Sequence, residues 1–173
     1  MGTSSPFYIY TDASFDHKSQ TGVLGYCIFH GLEEHESGQL FSPVIYTQII
    51  QEKNNIRSEL RAVIVALEAF EEMLRASPLF NAEIIVYTDC QGISHLQKRR
   101  KKLEATHYIS HRKKNVLANA DLYKIFFLIL DRLNPKIVWV KGHSPSRNQN
   151  LIQKNFSALD KAVRGIFRLT DLK

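Results

Sequence analysis

The stretch FYIYTD, residues 7–12, decides the fold of this 173-residue chain. Aromatic and β-branched residues occupy both alternating sets of positions, which predicts a β-strand that is covered on both faces. A strand covered on both faces lies inside a sheet, so we expect this one to be central. Asp12 then stands at the end of a central strand.

Four further stretches have the composition of strands. The first two run from Gly22 to His30 and from Leu40 to Gln48, with a polar, acidic turn at residues 33–38 between them, which predicts a hairpin or meander. The other two are short and apolar, from Ile84 to Thr88 and from Ile137 to Val140. The sequence therefore predicts five strands.

Four helices are predicted between and after these strands. The first begins at Ser58, a candidate cap, and stops at Ser77-Pro78. The second opens with Asp89 and Gln91 and continues into a basic stretch, and the third ends at Asn134-Pro135. The fourth closes the chain with an apolar stripe formed by Phe156, Leu159, Val163 and Ile166.

This order of elements predicts an α/β fold, a mixed five-stranded sheet flanked by helices. With 173 residues and 44% hydrophobic content, the chain is long enough for one buried core and too short for two ordinary domains. We therefore expect one domain over residues 1–173, with its core at about 7–169.

The positive charge is concentrated in one segment. The net charge is +6, and eight basic residues with one acid lie between Lys98 and Lys114, so the remainder of the chain is close to neutral. Three interpretations stay open for the run KRRKK at residues 98–102: a solvated helix face, a nuclear-import signal, or a surface that binds phosphates.

Other features of the sequence indicate the cellular compartment. Cys27 and Cys90 are the two cysteines, which fit neither a disulfide framework nor a cysteine metal site. No apolar run approaches the roughly 20 residues that span a bilayer, and the polar start lacks the apolar core of a signal peptide. We expect a cytoplasmic or nuclear protein that is not secreted and has no membrane partner.

Four acids occupy positions where such a sheet could bring them together. Asp12 and Asp89 end strands, Glu59 opens a helix, and Asp160 lies on the last helix. Hard divalent cations prefer carboxylate oxygens, and two ions roughly 4 Å apart can clamp the attacking and leaving oxygens of a phosphoryl displacement. Each acid taken alone could equally be a helix cap or a turn former.

The text around these acids resembles the type 1 ribonuclease H family in order and spacing. The matching segments are YTDAS (10–14), NNIRSEL (54–60), YTDCQ (87–91) and WVKGH (139–143). The resemblance extends from about Tyr8 to Arg164, and it includes AVIVALEAF (62–70) and NADLY (119–123). It implies the ribonuclease H-like fold.

The resemblance also implies the catalytic residues. Asp12, Glu59, Asp89 and Asp160 match the family's metal-binding carboxylates, which hold two Mg²⁺ ions, with Mn²⁺ as a possible substitute. His143 matches the loop histidine that assists the nucleophilic water or product release. Asp160 follows His143 by 17 residues where the family has about ten, and it is identified through the segment DKAVR (160–164).

By the same resemblance, the partner is an RNA/DNA hybrid, whose RNA strand is cut to 5′-phosphate and 3′-hydroxyl ends, and no obligate protein partner is inferred. Short polar side chains and the basic run would bind it: Ser14, Asn54, Asn55, Gln91, Asn119, Lys98, Arg99, Arg100, Lys101 and Lys102. Two alternatives remain, a DNA-directed nuclease of the same fold superfamily and a non-catalytic nucleic-acid-binding module.

Overall fold

A computed structural model describes residues 5–31, 44–76, 83–141 and 149–170. The strands are β1 (Phe7–Asp16), β2 (Thr21–His30), β3 (Tyr46–Gln51), β4 (Ile84–Thr88) and β5 (Lys136–Trp139). The helices are α1 (Asn55–Ala76), α2 (Gln91–Ser94), α3 (Leu96–Ala105), α4 (Ala120–Leu133) and α5 (Leu151–Thr170). Within these ranges, no helix is long and apolar enough to cross a membrane.

The five strands form one mixed sheet in the order β3-β2-β1-β4-β5. β1 pairs with β2 and β2 with β3 in antiparallel fashion, whereas β1 with β4 and β4 with β5 are parallel. The predicted fold class is therefore confirmed, with β1 at the centre of the sheet.

Helices cover both faces of β1, which explains its apolar residues at alternating positions. Phe7 and Ile9 belong to a buried cluster with α1 and α4. Tyr8 and Tyr10 belong to a second cluster, built with Val163 and other residues of α5. Asp12 continues the alternation of Tyr8 and Tyr10, so its side chain lies on the face of the sheet that α5 covers.

Three of the predicted boundaries differ, in β1, α1 and β3. The first strand continues to Asp16, where it still pairs with β2, so Asp12 lies inside β1 rather than at its end. Ser58 is not the cap of α1, because the helix begins three residues earlier and the Asn54 side-chain oxygen accepts a hydrogen bond from the Arg57 backbone N–H at 3.0 Å. Asn and Ser are comparable caps, so the local sequence alone did not choose between them. Among the described residues the third strand is Tyr46–Gln51, which pairs with β2 and ends three residues past the predicted Gln48. Residues 40–43 lie outside the described ranges.

The predicted helix after Asp89 is two helices with a break at His95. Both His107 and Tyr108, just past the second of them, have positive φ angles, so the chain turns sharply there. The left-handed conformation of Asn134 ends α4, as the Asn134-Pro135 pair predicted. Ser77 and Pro78 lie outside the described residues.

Candidate active site

Three carboxylates converge where β4 ends beside the middle of β1. Asp12 comes from β1, Glu59 from the first turns of α1, and Asp89 from the residue that follows β4. One oxygen from each lies within 4.8 Å of the other two. The parallel pairing of β1 with β4 accounts for this, because Tyr10 pairs with Tyr87 and both Asp12 and Asp89 lie two residues further along their segments.

Burial makes this group electrostatically costly. The Asp12 and Glu59 residues are only 4% and 7% exposed. Burial, followed by the charges of Asp89 and Asp160, raises the pKa of Asp12 to about 7. The pKa of Glu59 lies well above its ordinary value, first because of burial and then because of Asp12 and Asp89. Each carboxylate disfavours the ionised form of the others.

A cation would relieve this repulsion, and the oxygens are oriented for one. Asp12 Oδ2 and Glu59 Oε2 are buried and have no hydrogen-bond partner within the described part of the chain. Buried oxygens without partners are rare in native proteins. Carboxylate oxygens are the donors that Mg²⁺ and Mn²⁺ prefer, so these residues fit a hard divalent cation.

Asp160 lies near this group but outside it. Its charge contributes to the raised pKa of both Asp12 and Glu59. However, among the described residues, the set whose oxygens lie within 4.8 Å of one another contains the other three acids alone. The Arg164 guanidinium, one helical turn later, donates from Nε to Asp160 Oδ1 at 2.6 Å.

The short polar residues predicted to bind the hybrid differ in their exposure to solvent. Asn55 and Gln91 are exposed first residues of α1 and α2. Asn54 uses its oxygen as a helix cap, and Asn119 is 9% exposed, with its buried Oδ1 lacking a partner within the described ranges. Ser14 is partly exposed, two residues past Asp12 on β1.

The basic run forms most of α3, and its members are not equivalent. Arg100 faces inward: it donates to Glu104 and Asp131, and its guanidinium lies 5.0 Å from the centre of the Phe127 ring. This residue docks α3 against α4 rather than pointing freely into solvent. The other four members are exposed, namely Lys98, Arg99, Lys101 and Lys102.

His143 lies outside the described residues, so its predicted place beside the carboxylates stays a prediction.

The profile of the RNase H family matches residues 4–163, nearly the whole chain.

The chain belongs to the ribonuclease H family.

Individual relatives agree with this assignment. Ribonuclease H of Orientia tsutsugamushi (strain Boryong) is 25% identical over 150 residues, which are 86% of this chain and 79% of that protein. The PFV RNase H domain has a TM-score of 0.65 at 16% identity, with 94% of this chain and 93% of that chain covered. LC11-RNase H1, solved in complex with an RNA/DNA hybrid, has a TM-score of 0.54 at 20% identity, with coverages of 90% and 98%. The predicted family and fold are confirmed, and this ribonuclease H is a hydrolase of the nuclease class.

The raised pKa of Asp12 predicts how pH affects the stability of the metal-free ribonuclease H. With the pKa at about 7 when folded, the folded protein keeps a proton that the unfolded chain releases above about pH 4. Stability is therefore lost as pH rises from about 4 toward 7, by up to about 1.4 kcal/mol per pH unit, or about 3–5 °C in Tm per pH unit. Thermal unfolding in EDTA at a series of pH values measures this loss.

Two controls accompany that measurement. Asp12→Asn should unfold with a shallower dependence on pH, because its amide does not titrate. Mg²⁺ should raise the Tm of the wild type more at about pH 8 than at about pH 5.5, because a bound cation competes with the proton. Parallel curves for wild type and Asp12→Asn would contradict the assignment of this proton to Asp12.

A glycine sets how closely α5 approaches the site. Gly25 of β2 pairs in register with Asp12 of β1, and the two residues share one face of the sheet. A Cβ at Gly25 would overlap Val163 Cγ2 and lie 3.1 Å from Leu159 Cδ1. Since Leu159 directly precedes Asp160, the missing side chain allows the helix that carries Asp160 to pack beside Asp12.

Gly25→Ala should displace α5 and weaken the ribonuclease H. We expect a loss of about 1–3 kcal/mol from overpacking, together with slower hybrid cleavage, since Asp160 moves with the helix. Gly165→Ala is the matched control, because Gly165 lies on α5 and a Cβ added there would meet nothing within 4 Å. Urea unfolding and cleavage rates test both variants, and equal behaviour would contradict the prediction.

A buried ion-pair network joins the segment that carries Glu59 to the segment that carries Asn119. Arg57, 6% exposed, donates to Glu52 at 2.6 Å, to the Ala118 carbonyl at 2.8 Å, and through both terminal nitrogens to Asp121. The hydrogen bonds from Arg57 lower the pKa of Asp121 to about 2. The start of α1 is thereby fixed to the start of α4.

Three supporting residues were not predicted from the sequence: Gly25, Arg57 and Trp139. The Trp139 indole N–H donates to the Asp89 carbonyl oxygen at 2.9 Å. Arg57 and Trp139 fall inside the family-like segments, which was a usable signal. The signal for Gly25 was a glycine in the middle of a strand, which often marks a close approach of another element.

Proposed function

We propose that this protein is an endoribonuclease that hydrolyses the RNA strand of RNA/DNA hybrids with two Mg²⁺ ions, for which Mn²⁺ could substitute. Asp12, Glu59, Asp89 and Asp160 would hold the ions. One observation carries the proposal: three acids, two of them buried with unpartnered oxygens, each place one oxygen within 4.8 Å of the other two, where β4 ends beside β1. Family membership supports the same chemistry.

When bound, Mg²⁺ supplies Lewis acidity, which lowers the pKa of the attacking water and offsets the charge that develops on the leaving oxygen. The protein's contribution is a preorganised set of acceptors, because the strands and α1 fix Asp12, Glu59 and Asp89 before substrate arrives. Cleavage would leave a 5′-phosphate and a 3′-hydroxyl. His143 would assist the water or the release of product.

Hybrid selectivity requires contacts to 2′-hydroxyl groups in a wide, shallow minor groove. Ser14, Asn55, Gln91 and Asn119 are the short polar residues proposed for these contacts. Asn119 is favoured by its unpartnered Oδ1 and by the Arg57 network that fixes its loop. Asn54 is a weaker candidate, because its oxygen already caps α1. The solved complex of LC11-RNase H1 with a hybrid supports this substrate class.

A duplex panel tests the proposed function. RNA/DNA, DNA/DNA and RNA/RNA duplexes of one sequence are incubated with the protein, with Mg²⁺, Mn²⁺ or EDTA. We expect cleavage of the RNA strand of the hybrid alone, dependent on the cation. Cleavage of the DNA duplex would favour a DNA-directed nuclease, and tight hybrid binding without cleavage would favour a non-catalytic module.

The exposed face of α3 should contribute affinity for the hybrid without selecting a particular base sequence. Replacing Lys98, Arg99, Lys101 and Lys102 with Gln should weaken hybrid binding and flatten the log-log dependence of affinity on salt. Each phosphate that the variant no longer neutralises should reduce that slope by about 0.7–0.9. Binding titrations at four or more salt concentrations, in EDTA, measure the slope.

Two controls separate charge from structure in that experiment. Arg100→Gln should change the slope little, because Glu104 and Asp131 already pair with this guanidinium. Arg75→Gln removes a charge near the end of α1 that is far from Glu59, so it should leave the slope unchanged. An unaltered slope in the fourfold variant would refute phosphate binding by this face.

A further inference from the structure

An exposed indole contacts the backbone of one of the three clustered acids. Trp139 ends β5, where it pairs in parallel register with Thr88 of β4. Its Nε1–H donates to the carbonyl oxygen of Asp89 at 2.9 Å, although the residue is 45% exposed. The hydrogen bond therefore crosses from the edge strand to the residue that supplies a carboxylate to the site.

The Asp89 peptide lies just past the regular ladder between the two strands. Just past β5, the Val140 N–H donates to the Thr88 carbonyl oxygen at 2.9 Å. On the other side of Asp89, the fully buried Thr88 hydroxyl accepts a hydrogen bond from the Cys90 N–H at 3.1 Å. The indole bond thus acts on a short turn that is already held at both ends.

We propose that Trp139 is a positioning residue, whose N–H fixes the Asp89 peptide and so orients the Asp89 carboxylate for metal binding. The inference rests on the proposed function, because it takes Asp89 to be a metal ligand. A carboxylate follows its own Cα, so rotation of the Asp89 peptide plane would move its oxygens relative to Asp12 and Glu59. Groups that orient metal ligands typically contribute 10–100-fold to metal affinity.

The chain offers an unusually selective way to test this role, because Trp139 is its one tryptophan. Any tryptophan analogue introduced biosynthetically therefore changes this position alone. 5-Fluorotryptophan keeps the N–H donor, whereas 3-benzothienylalanine keeps the ring shape and replaces the N–H with sulfur. Trp139→Phe is the corresponding genetic variant.

The experiment measures the affinity for Mg²⁺ alone, by calorimetry without nucleic acid. We expect wild-type affinity for the 5-fluorotryptophan protein and about tenfold weaker affinity for the benzothienyl and Phe proteins. In the wild type and the 5-fluorotryptophan protein, fluorescence from position 139 should change on Mg²⁺ titration, and Asp89→Asn should abolish that change. Tyr46→Phe on the opposite edge strand is the matched control and should bind Mg²⁺ as wild type does.

The outcomes distinguish a failure of this inference from a failure of the proposed function on which it rests. A wild-type protein that neither binds Mg²⁺ nor cleaves hybrid would overturn the proposed function. If wild type does both and the benzothienyl protein keeps full Mg²⁺ affinity, the positioning role alone is overturned. Unchanged Mg²⁺ affinity with a raised KM for hybrid would likewise overturn it, and would assign the exposed ring to substrate contact instead.

Discussion

Asp89→Asn should lower kcat for Mg²⁺-dependent hybrid cleavage by about a thousandfold or more, while hybrid binding in EDTA is retained. The amide has nearly the shape of the carboxylate but lacks its charge, so it is a poor ligand for a hard cation. Electrostatic stabilisation by a metal amounts to several kcal/mol, and each 1.36 kcal/mol is about tenfold in rate. Removing a negative charge also leaves the approach of phosphates unhindered.

Single-turnover cleavage and fluorescence anisotropy with a labelled hybrid measure the two quantities. Glu68→Gln is the matched control, because Glu68 is an exposed acid on the helix that carries Glu59. It should behave as wild type in both assays. Undiminished turnover in Asp89→Asn would remove this residue from the site, and loss of both binding and cleavage would point to misfolding instead.

Arg57→Met should cause the largest loss of stability, about 3 kcal/mol or more. Glu52 is 5% exposed and would keep Arg61 as its remaining partner. Burial raises the pKa of Glu52, but hydrogen bonds from Arg57 and Arg61 outweigh that effect and hold the pKa below its ordinary value. Removing one guanidinium therefore leaves a buried charge that is poorly compensated.

Urea unfolding compares this variant with Arg132→Met. Arg132 also makes a two-nitrogen contact between α4 and α1, donating from Nε and one terminal nitrogen to Glu71, but its own side chain is exposed. Exposed pairs contribute about 0–1 kcal/mol, so the control should lose little. The double variant Glu52→Gln with Arg57→Met should recover part of the stability, because the unpaired charge is gone. Equal losses in Arg57→Met and Arg132→Met would contradict the prediction.

The elements of the fold were predictable because their signals are local. The alternation of Phe7 to Tyr10 indicated a strand covered on both sides, and IIVYT at residues 84–88 matches β4 residue for residue. Boundaries were less predictable where two residues of similar preference compete. Asn54 and Ser58 are both good caps, and the end of β3 fixes where α1 can begin.

The acids of the site were predictable from the sequence, whereas the residues that hold them in place were less so. Asp12, Glu59 and Asp89 were predicted from the expected ends of elements and from family-like text, although β1 continues past Asp12 to Asp16. In contrast, Arg100 cannot be distinguished from its basic neighbours by sequence, because Asp131 and Phe127 approach it only through tertiary packing. The Trp139 hydrogen bond likewise depends on the parallel register of two strands that are distant along the chain.

The parallel pairing of β1 with β4 also bears on how the protein acquires activity during folding. Between these strands along the chain lie the rest of the antiparallel meander and a 22-residue helix. Contacts of such long sequence separation are costly in loop-closure entropy and slow to form. A nascent chain that has folded only the meander contains Asp12 but has not yet gained Asp89. The cluster of Asp12, Glu59 and Asp89 therefore forms only once β4 has paired with β1, and molecules that have folded no further than the meander hold its members apart.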